Sequence, residues 1–278
     1  MVLSLLSFFF LTGCQHTSDT AIETMTSGSL SLLTYNVHGL PPAITGDNTT
    51  ERMHAIAPLL VEYDIVGLQE DWMTENHQFL LSESGFPYVD TFDTPSAEEK
   101  LYGSGLTQLG TLELEKDAHI YYGTCNGYAE HGSDCFASKG IQATWVHVEN
   151  MPIRWLNTHL EAGNAAEDQE IRSLQLAKLI EIANAEDAPT FITGDFNLDP
   201  SNPEERTLLT MLEVAGFENS CWSVDCPEPN HIDQIWFRST NTFTFSIDSW
   251  VAPTHFIDAE GVPLSDHPPI SVVLKWMR

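Results

Sequence analysis

Basic residues are scarce in this chain of 278 residues: eleven Lys and Arg stand against forty Asp and Glu, for a formal net charge of −29. The few cations are scattered, with no basic run. Proteins that hold long nucleic acids neutralise phosphates with clustered cations. Such a partner is therefore disfavoured here, unless a local patch forms in three dimensions. Acidity of this kind also fits simple solubility in a salty habitat. No internal repeat, heptad pattern or low-complexity block divides the chain. That excludes repeat arrays and coiled coils and leaves room for one large α/β domain, expected as a monomer.

No apolar run is long enough to span a bilayer. The N-terminal one, Met1 to Leu11, closes on Leu11-Thr12-Gly13-Cys14. A short apolar stretch ending in small residues marks a secretory signal peptide, and Leu-Thr-Gly-Cys resembles the lipobox of bacterial lipoproteins. The resemblance implies a signal peptide over residues 1–13, lipidation at Cys14, a polar Thr/Ser-rich tether over 14–29 and a folded domain over 30–278. It places the protein outside the cytoplasm on a membrane, and Gln15 after Cys14 points to an outer membrane or cell surface. No Lys or Arg precedes the run, as a misplaced start codon or a chance match would explain. A buried N-terminal strand is the other reading.

Cysteine is sparse too. Of five, Cys14 would carry the anchor, and the others form two locally spaced pairs, Cys125 with Cys135 and Cys221 with Cys226. Disulfides are distributed in this way in exported, oxidised proteins. Each would be worth about 2–3 kcal/mol if loop closure dominates. A zinc site of His131 with Cys125 and Cys135 is the alternative, although it lacks a fourth ligand at a familiar spacing. Spacing alone does not prove connectivity.

Apolar runs alternate with helical periodicities along the chain. Strands are expected at 30–36, 65–68, 232–237, 243–247 and 270–276, with a hairpin of 141–148 and 153–158 around Asn150-Met151-Pro152. Helices are expected from Met53 to Leu60, where Pro58 must kink or shorten the element, and at 75–83, 167–184 and 204–214. The stretch 88–117 is loose, with Gly103, Gly105 and Gly110 suggesting turns and short strands. Hairpins together with helix crossovers imply an α/β (α+β) fold of mixed sheets covered by helices.

Polar residues at strand ends carry the chemistry. Phe191-Ile192-Thr193 runs into Gly194-Asp195-Phe196-Asn197, delivering a carboxylate and an amide two residues apart. Open α/β sheets bind ligands at such carboxyl ends. Asn36, Glu70 and His159 end other apolar runs, and Asp233 lies in an apolar strand where an unpaired carboxylate is costly. His267 is its natural partner. Each residue alone has an ordinary reading as a cap, a turn or a solvated edge. His38, His54, His77, His119, His147 and His255 have no such company and read as structural or surface residues.

Tyr35-Asn36-Val37, Leu68-Gln69-Glu70, Asn157-Thr158-His159-Leu160, Gly194-Asp195-Phe196-Asn197, Ile232-Asp233-Gln234-Ile235 and Ser265-Asp266-His267-Pro268 together resemble, in order, the endonuclease/exonuclease/phosphatase superfamily of deoxyribonuclease-I-like hydrolases. The resemblance implies a four-layer sandwich of two packed mixed β-sheets flanked by helices. It also implies a metal-dependent phosphoric diester hydrolase using Mg2+, Mn2+ or another divalent cation. Glu70 and Asp266, helped by Asn36, would hold the ion; Asp195 would orient or deprotonate water. Asn197 would donate to phosphate oxygens, Asp233 would fix His267, and His267 and His159 would flank the phosphate in acid, base or stabilising roles.

The middle of the chain leans toward one branch. Cys135 to Ile141, with its Lys139-Gly140 pair, and Thr158-His159-Leu160-Glu161 look like secreted bacterial sphingomyelinases and related phospholipase-C-type enzymes. Here Glu161 stands in place of Gln, and Gln234 in place of Tyr. Lys139 would contact a substrate phosphate or pair with surface carboxylates. Trp250, Val251 and Phe256 are candidates for a membrane-docking wedge. A lipid head-group phosphodiester is thus the expected substrate, an extracytoplasmic nuclease the alternative, and a non-catalytic binding lipoprotein the third reading.

Overall fold

The computed structural model of the protein describes residues 25–98, 100–128 and 134–278. Residues 1–13, expected as a signal peptide, lie outside them, as do Cys14 and His131. In chain order the elements are β1 (Ser27–Asn36), α1 (Pro42–Thr45), α2 (Thr49–Ile56), β2 (Ile65–Gln69), α3 (Thr74–Ser84), β3 (Tyr88–Phe92), β4 (Leu106–Gly110), β5 (Leu114–Tyr121), β6 (Gly140–Val148), β7 (Met151–His159), α4 (Ala166–Ala183), β8 (Thr190–Asp195), α5 (Pro203–Val214), β9 (Glu218–Asn219), β10 (Asp233–Arg238), β11 (Thr244–Val251) and β12 (Ile270–Met277). They form two six-stranded sheets, ordered β11-β12-β1-β2-β4-β3 and β5-β6-β7-β8-β10-β9. In each sheet one pair is parallel, β1 with β2 and β7 with β8. The mixed sandwich expected from the sequence is the fold observed.

Burial explains the layering. Every residue of β2 and of β8 is buried, as a strand covered on both faces requires. Between the sheets, Leu32, Ile65, Trp155, Phe191, Ile235 and Val272 form one core. A second lies beneath α2 and α3, where Met53, Ile56 and Leu80 meet Leu33, Val66 and Leu68. A third lies beneath α4 and α5, where Leu176, Leu179, Leu209 and Leu212 meet Leu156, Ile192 and Trp236. The result is four layers: helices, sheet, sheet, helices.

Local differences from the sequence reading have local causes. β1 starts at Ser27, inside the stretch expected to be tether, because Ser27 already pairs with Met277 of β12. Pro58 lies in a 3-10 turn, Ala57–Glu62, that follows α2; lacking an amide hydrogen, it ends the α-helix rather than kinking it. The β6–β7 turn falls on Glu149 and Asn150, with φ of 48° and 65°, a geometry that matches the twist of a tight hairpin. β5 was not foreseen: it runs along the edge against β6 with mostly half-exposed side chains, so its hydrophobic pattern is weak.

Cys125 is bonded to Cys135 and Cys221 to Cys226, with Cα separations of 5.3 and 5.0 Å. The zinc alternative falls, since its two sulfurs are bonded to each other. Trp250 and Phe256 are 8% and 3% exposed, in the inter-sheet and α2-side cores, and only Val251 faces outward. The aromatic wedge is therefore core packing. Among the described residues, no helix is long and apolar enough to cross a membrane.

A polar layer interrupts the apolar contact between the sheets. Gln69 Nε2 donates to Asn157 Oδ1 at 2.8 Å, and Asn157 Nδ2 donates to the Leu68 carbonyl at 2.9 Å. Thr193 Oγ1 donates to Asn157 Oδ1 at 3.2 Å and accepts from Trp155 Nε1 at 2.9 Å. Gly67 leaves room for it: a Cβ there would lie 2.4 Å from Thr193 Oγ1 and 2.9 Å from Asn157 Oδ1. Gly67→Ala should accordingly destabilise the protein by about 1–3 kcal/mol through overpacking, read as a lower denaturant midpoint at unchanged slope. An unchanged midpoint would show that the layer yields.

Candidate active site

The two sheets bring their strand exits to one place. Asn36 ends β1 and pairs across to Gln69, the residue before Glu70. In the other sheet Asp195, ending β8, sits between His159 of β7 and Asp233 of β10. The chain then reverses tightly. His38, Glu70 and Asn197 all have positive φ, of 49°, 62° and 49°, a region that non-glycine residues occupy at a cost and that clusters at functional sites.

Asn36 joins the halves. Its Nδ2 donates to Glu70 Oε1 at 2.9 Å and to Asp195 Oδ2 at 3.0 Å, while its Oδ1 accepts from the His38 amide at 3.0 Å. Its amide nitrogen faces both carboxylates and its oxygen is engaged by the His38 backbone, so in this arrangement Asn36 orients the carboxylates. Asp266 lies across the cleft, reached through His38, whose Nδ1 is 3.3 Å from Asp266 Oδ1 and 3.8 Å from Glu70 Oε2. His38 is the residue that the sequence reading set aside. Its signal was the spacing: it lies two residues past Asn36, as Asn197 lies two past Asp195.

The histidines are opposite in charge preference. His267 Nδ1 is 2.7 Å from Asp233 Oδ2 and 3.7 Å from Asp195 Oδ2. Burial alone would lower its pKa; the Asp233 hydrogen bond and charge, with Asp195 and Asp266 behind, raise it to about 10. Burial and the nearby Asp195 carboxylate push Asp233 up, while its hydrogen bond to His267 pulls it back; with the imidazole raised, the pair favours imidazolium beside carboxylate. His159 is 3.5 Å from Asp195 through Nε2 and is fully buried. Burial, reinforced by Lys139 and His267, drives its pKa well below the usual value and keeps it neutral.

Other expected residues line the same cleft. Asn197 donates its backbone amide to Asp195 Oδ1 at 2.9 Å and one amide hydrogen to the Leu160 carbonyl at 3.1 Å; the second amide hydrogen is the one a phosphate oxygen would take. Lys139 is buried and donates to the same Leu160 carbonyl at 2.7 Å. Trp72, unremarked in the sequence, stacks on His159 with ring centroids 6.3 Å apart. The departures at Glu161 and Gln234 are structural: Glu161 Oε1 accepts the Asn126 amide, and Gln234 Oε1 accepts Trp236 Nε1.

The residues fit a divalent ion. Burial, partly offset by Asn36, pushes Glu70 up to about 7, and its Oε2 has no hydrogen-bond partner among the described residues. A buried carboxylate oxygen in that state suits a cation. Ligand atoms of Asp195, Asp233 and His267 also lie within 4.8 Å of one another, but the Asp233–His267 hydrogen bond already occupies two of them. Glu70 Oε2, by contrast, is left open to an ion. Few protein oxygens leave positions for water, as Mg2+ prefers.

A family model described as the endonuclease/exonuclease/phosphatase family matches residues 33–267. The chain belongs to that family. Among curated relatives, a putative neutral sphingomyelinase of Drosophila melanogaster is 26% identical over 90% of this chain and 61% of its own. A sphingomyelinase of Mycobacterium bovis is 26% identical over 90% and 54%, and human sphingomyelin phosphodiesterase 2 is 24% identical over 88% and 64%. The chain thus spans under two thirds of the length of these relatives. Solved structures share the fold. Sphingomyelinase C of Streptomyces griseocarneus has a TM-score of 0.67 at 17% identity over 88% of this chain and 99% of its own. Staphylococcus aureus beta toxin with bound magnesium ions scores 0.66 at 18% over 88% and 99%. TDP2 of D. rerio with a single-strand DNA product scores 0.69 at 17% over 88% and 98%. Family and names agree with the enzyme class read from the residues, a phosphoric diester hydrolase.

Proposed function

We propose that the protein is a divalent-metal-dependent phosphodiesterase that cleaves the head group from a sphingomyelin-type phospholipid. The observation that carries this reading is the convergence of Glu70, Asp195 and the Asp233–His267 pair from two different sheets, joined by Asn36 within 3.0 Å of both carboxylates. The names of the relatives support the lipid; the charge of −29 counts against a long nucleic acid.

Bound at Glu70 and Asp266, the ion would polarise the phosphate and offset its developing charge. Asp195, held by Asn36 and by the Asn197 amide, accepts a proton from the attacking water. His159, neutral beside it, orients that carboxylate. Asn197 and Lys139 face the phosphate oxygens. The new P–O bond to water forms as the bond to the leaving alcohol breaks. His267, with Asp233 fixing its Nδ1–H, gives its Nε2 proton to the leaving alkoxide.

The same reading extends to location. The Leu11 to Cys14 motif and the disulfides Cys125–Cys135 and Cys221–Cys226 support a secreted protein tethered to an extracytoplasmic membrane by a lipid on Cys14, close to its substrate. The test is to incubate purified protein and Mg2+ with sphingomyelin vesicles or supercoiled plasmid. Released phosphocholine is the expected product, absent in Asp195→Ala. Nicked plasmid without phosphocholine would move the assignment to a nuclease, and inactivity of the folded protein on both would overturn it.

A further inference from the structure

Asp233 gives only one of its carboxylate oxygens to His267. Oδ2 lies 2.7 Å from His267 Nδ1, whereas Oδ1 is buried and has no hydrogen-bond partner among the described residues. A buried carboxylate oxygen in that state carries a desolvation cost. Ser220 Oγ, just past β9, shares the condition: it too is buried and without a partner among the described residues. The two residues line one narrow cavity of about 10 Å³, close to the about 10–15 Å³ that a single water needs. Asp233 and Ile235, two apart on β10, place their side chains on one face of the strand. Ile235 belongs to the inter-sheet core with Cys221 and Trp250, and all three line the same cavity. The cavity therefore lies between the sheets, beside the Asp233–His267 pair. Glu228 and His231, both partly exposed, complete its wall and give water a way in. The charge of Asp233 is already matched by His267, so its free oxygen needs a hydrogen-bond donor and not a cation.

We propose that this cavity is a fixed hydration site and that Ser220 is a positioning residue of the reaction. Its hydroxyl donates to a single water, which donates in turn to Asp233 Oδ1. Both oxygens of Asp233 are then engaged, and the carboxylate is held against rotation. That keeps the bond to His267 Nδ1–H and aims Nε2 at the leaving oxygen. The inference rests on the proton-donor role given above to His267.

A crystal structure of the wild type, paired with the kinetics of Ser220→Ala, tests both parts. The structure should show one ordered water within about 2.6–3.2 Å of both Asp233 Oδ1 and Ser220 Oγ. With Mg2+ and sphingomyelin vesicles, folded Ser220→Ala should lose about tenfold in kcat at unchanged KM, the weight of one hydrogen bond to a charged group. The loss should shrink on a p-nitrophenyl phosphodiester, as is expected of His267→Gln. Added to His267→Gln, the same substitution should cost less than about twofold further, because the two residues act as one unit. A Ser220 that only supports the fold would slow both substrates alike and add its loss in full to that of His267→Gln. That outcome, or a kcat within about twofold of the wild type, overturns the positioning role. A wild-type cavity that holds no water overturns the hydration site. If the wild type hydrolyses neither substrate, or His267→Gln keeps full activity, the reaction assigned above falls and the role of Ser220 with it; the water is read from the wild-type structure independently.

Discussion

His267→Gln is expected to lower kcat on sphingomyelin by about 10²–10⁴-fold, the usual worth of positioned proton transfer. The imidazole is charged at neutral pH because Asp233, 2.7 Å away, outweighs the effect of burial and lifts its pKa to about 10. A proton donor matters most when the leaving group is a poor one. The loss should therefore shrink with a p-nitrophenyl phosphodiester, whose phenolate departs without help. In the wild type, activity should fall as pH rises through about 10, and this limb should be absent in the variant. An equal loss on both substrates would leave His267 as a source of positive charge and remove its role as donor. Asp195→Asn provides the contrast: it removes the acceptor of the water proton, so its defect should not depend on the leaving group.

Glu70→Gln should act in opposite directions on stability and on activity. Glu70 titrates near 7 in the fold against 4.5 when unperturbed, chiefly because it is buried. A folded-state pKa raised in this way means that the metal-free protein is unpenalised below pH 4.5, where the carboxyl is protonated in both states. It loses stability as pH climbs to about 7, where the unfolded chain has ionised first. A shift of this size corresponds to about 3 kcal/mol at most. The isosteric amide keeps an oxygen for Asn36 and removes the charge. In chelator at pH 8 the variant should melt higher than the wild type, by about 2–4 °C for each kcal/mol recovered. Added Mg2+ should stabilise the wild type alone, and hydrolysis by the variant should fall to background. Protons and metal compete for the same carboxylate, so the acid limb of wild-type activity should move to lower pH as Mg2+ is increased. A variant that melts lower in chelator would contradict the unpartnered buried charge.

Much of this arrangement was legible in the chain. Buried strands such as Ile65 to Gln69 are short apolar runs, and residues placed where such runs stop are easily noticed, as Asp195 was. Asp233 announced itself by being a carboxylate in an apolar strand. What stayed hidden depends on three-dimensional neighbours. The edge strand β5 buries little and so leaves little pattern. His38 looks ordinary until Asp266, far along the chain, is brought beside it. Trp72 looks like any exposed aromatic until His159 stacks on it. Trp250 and Phe256 erred the other way: aromatics near a site suggest a membrane contact, whereas their rings fill the two cores. Asn36 was found, but its orientation was not, because an amide's two ends are told apart only by what surrounds them.

The polar layer at Gln69, Asn157 and Thr193 bears on how the protein should fail. The hydrophobic attraction between stacked sheets is non-directional, so it fixes their register less sharply than hydrogen bonds do. Directional bonds such as Gln69 to Asn157 at 2.8 Å do not. Asn36 and Glu70 ride on one sheet, and His159, Asp195 and Asp233 on the other. Sliding by a single ångström would part Glu70 from the base Asp195 while both sheets remained intact. Warming or mild denaturant that breaks these bonds should thus silence hydrolysis before far-ultraviolet circular dichroism changes.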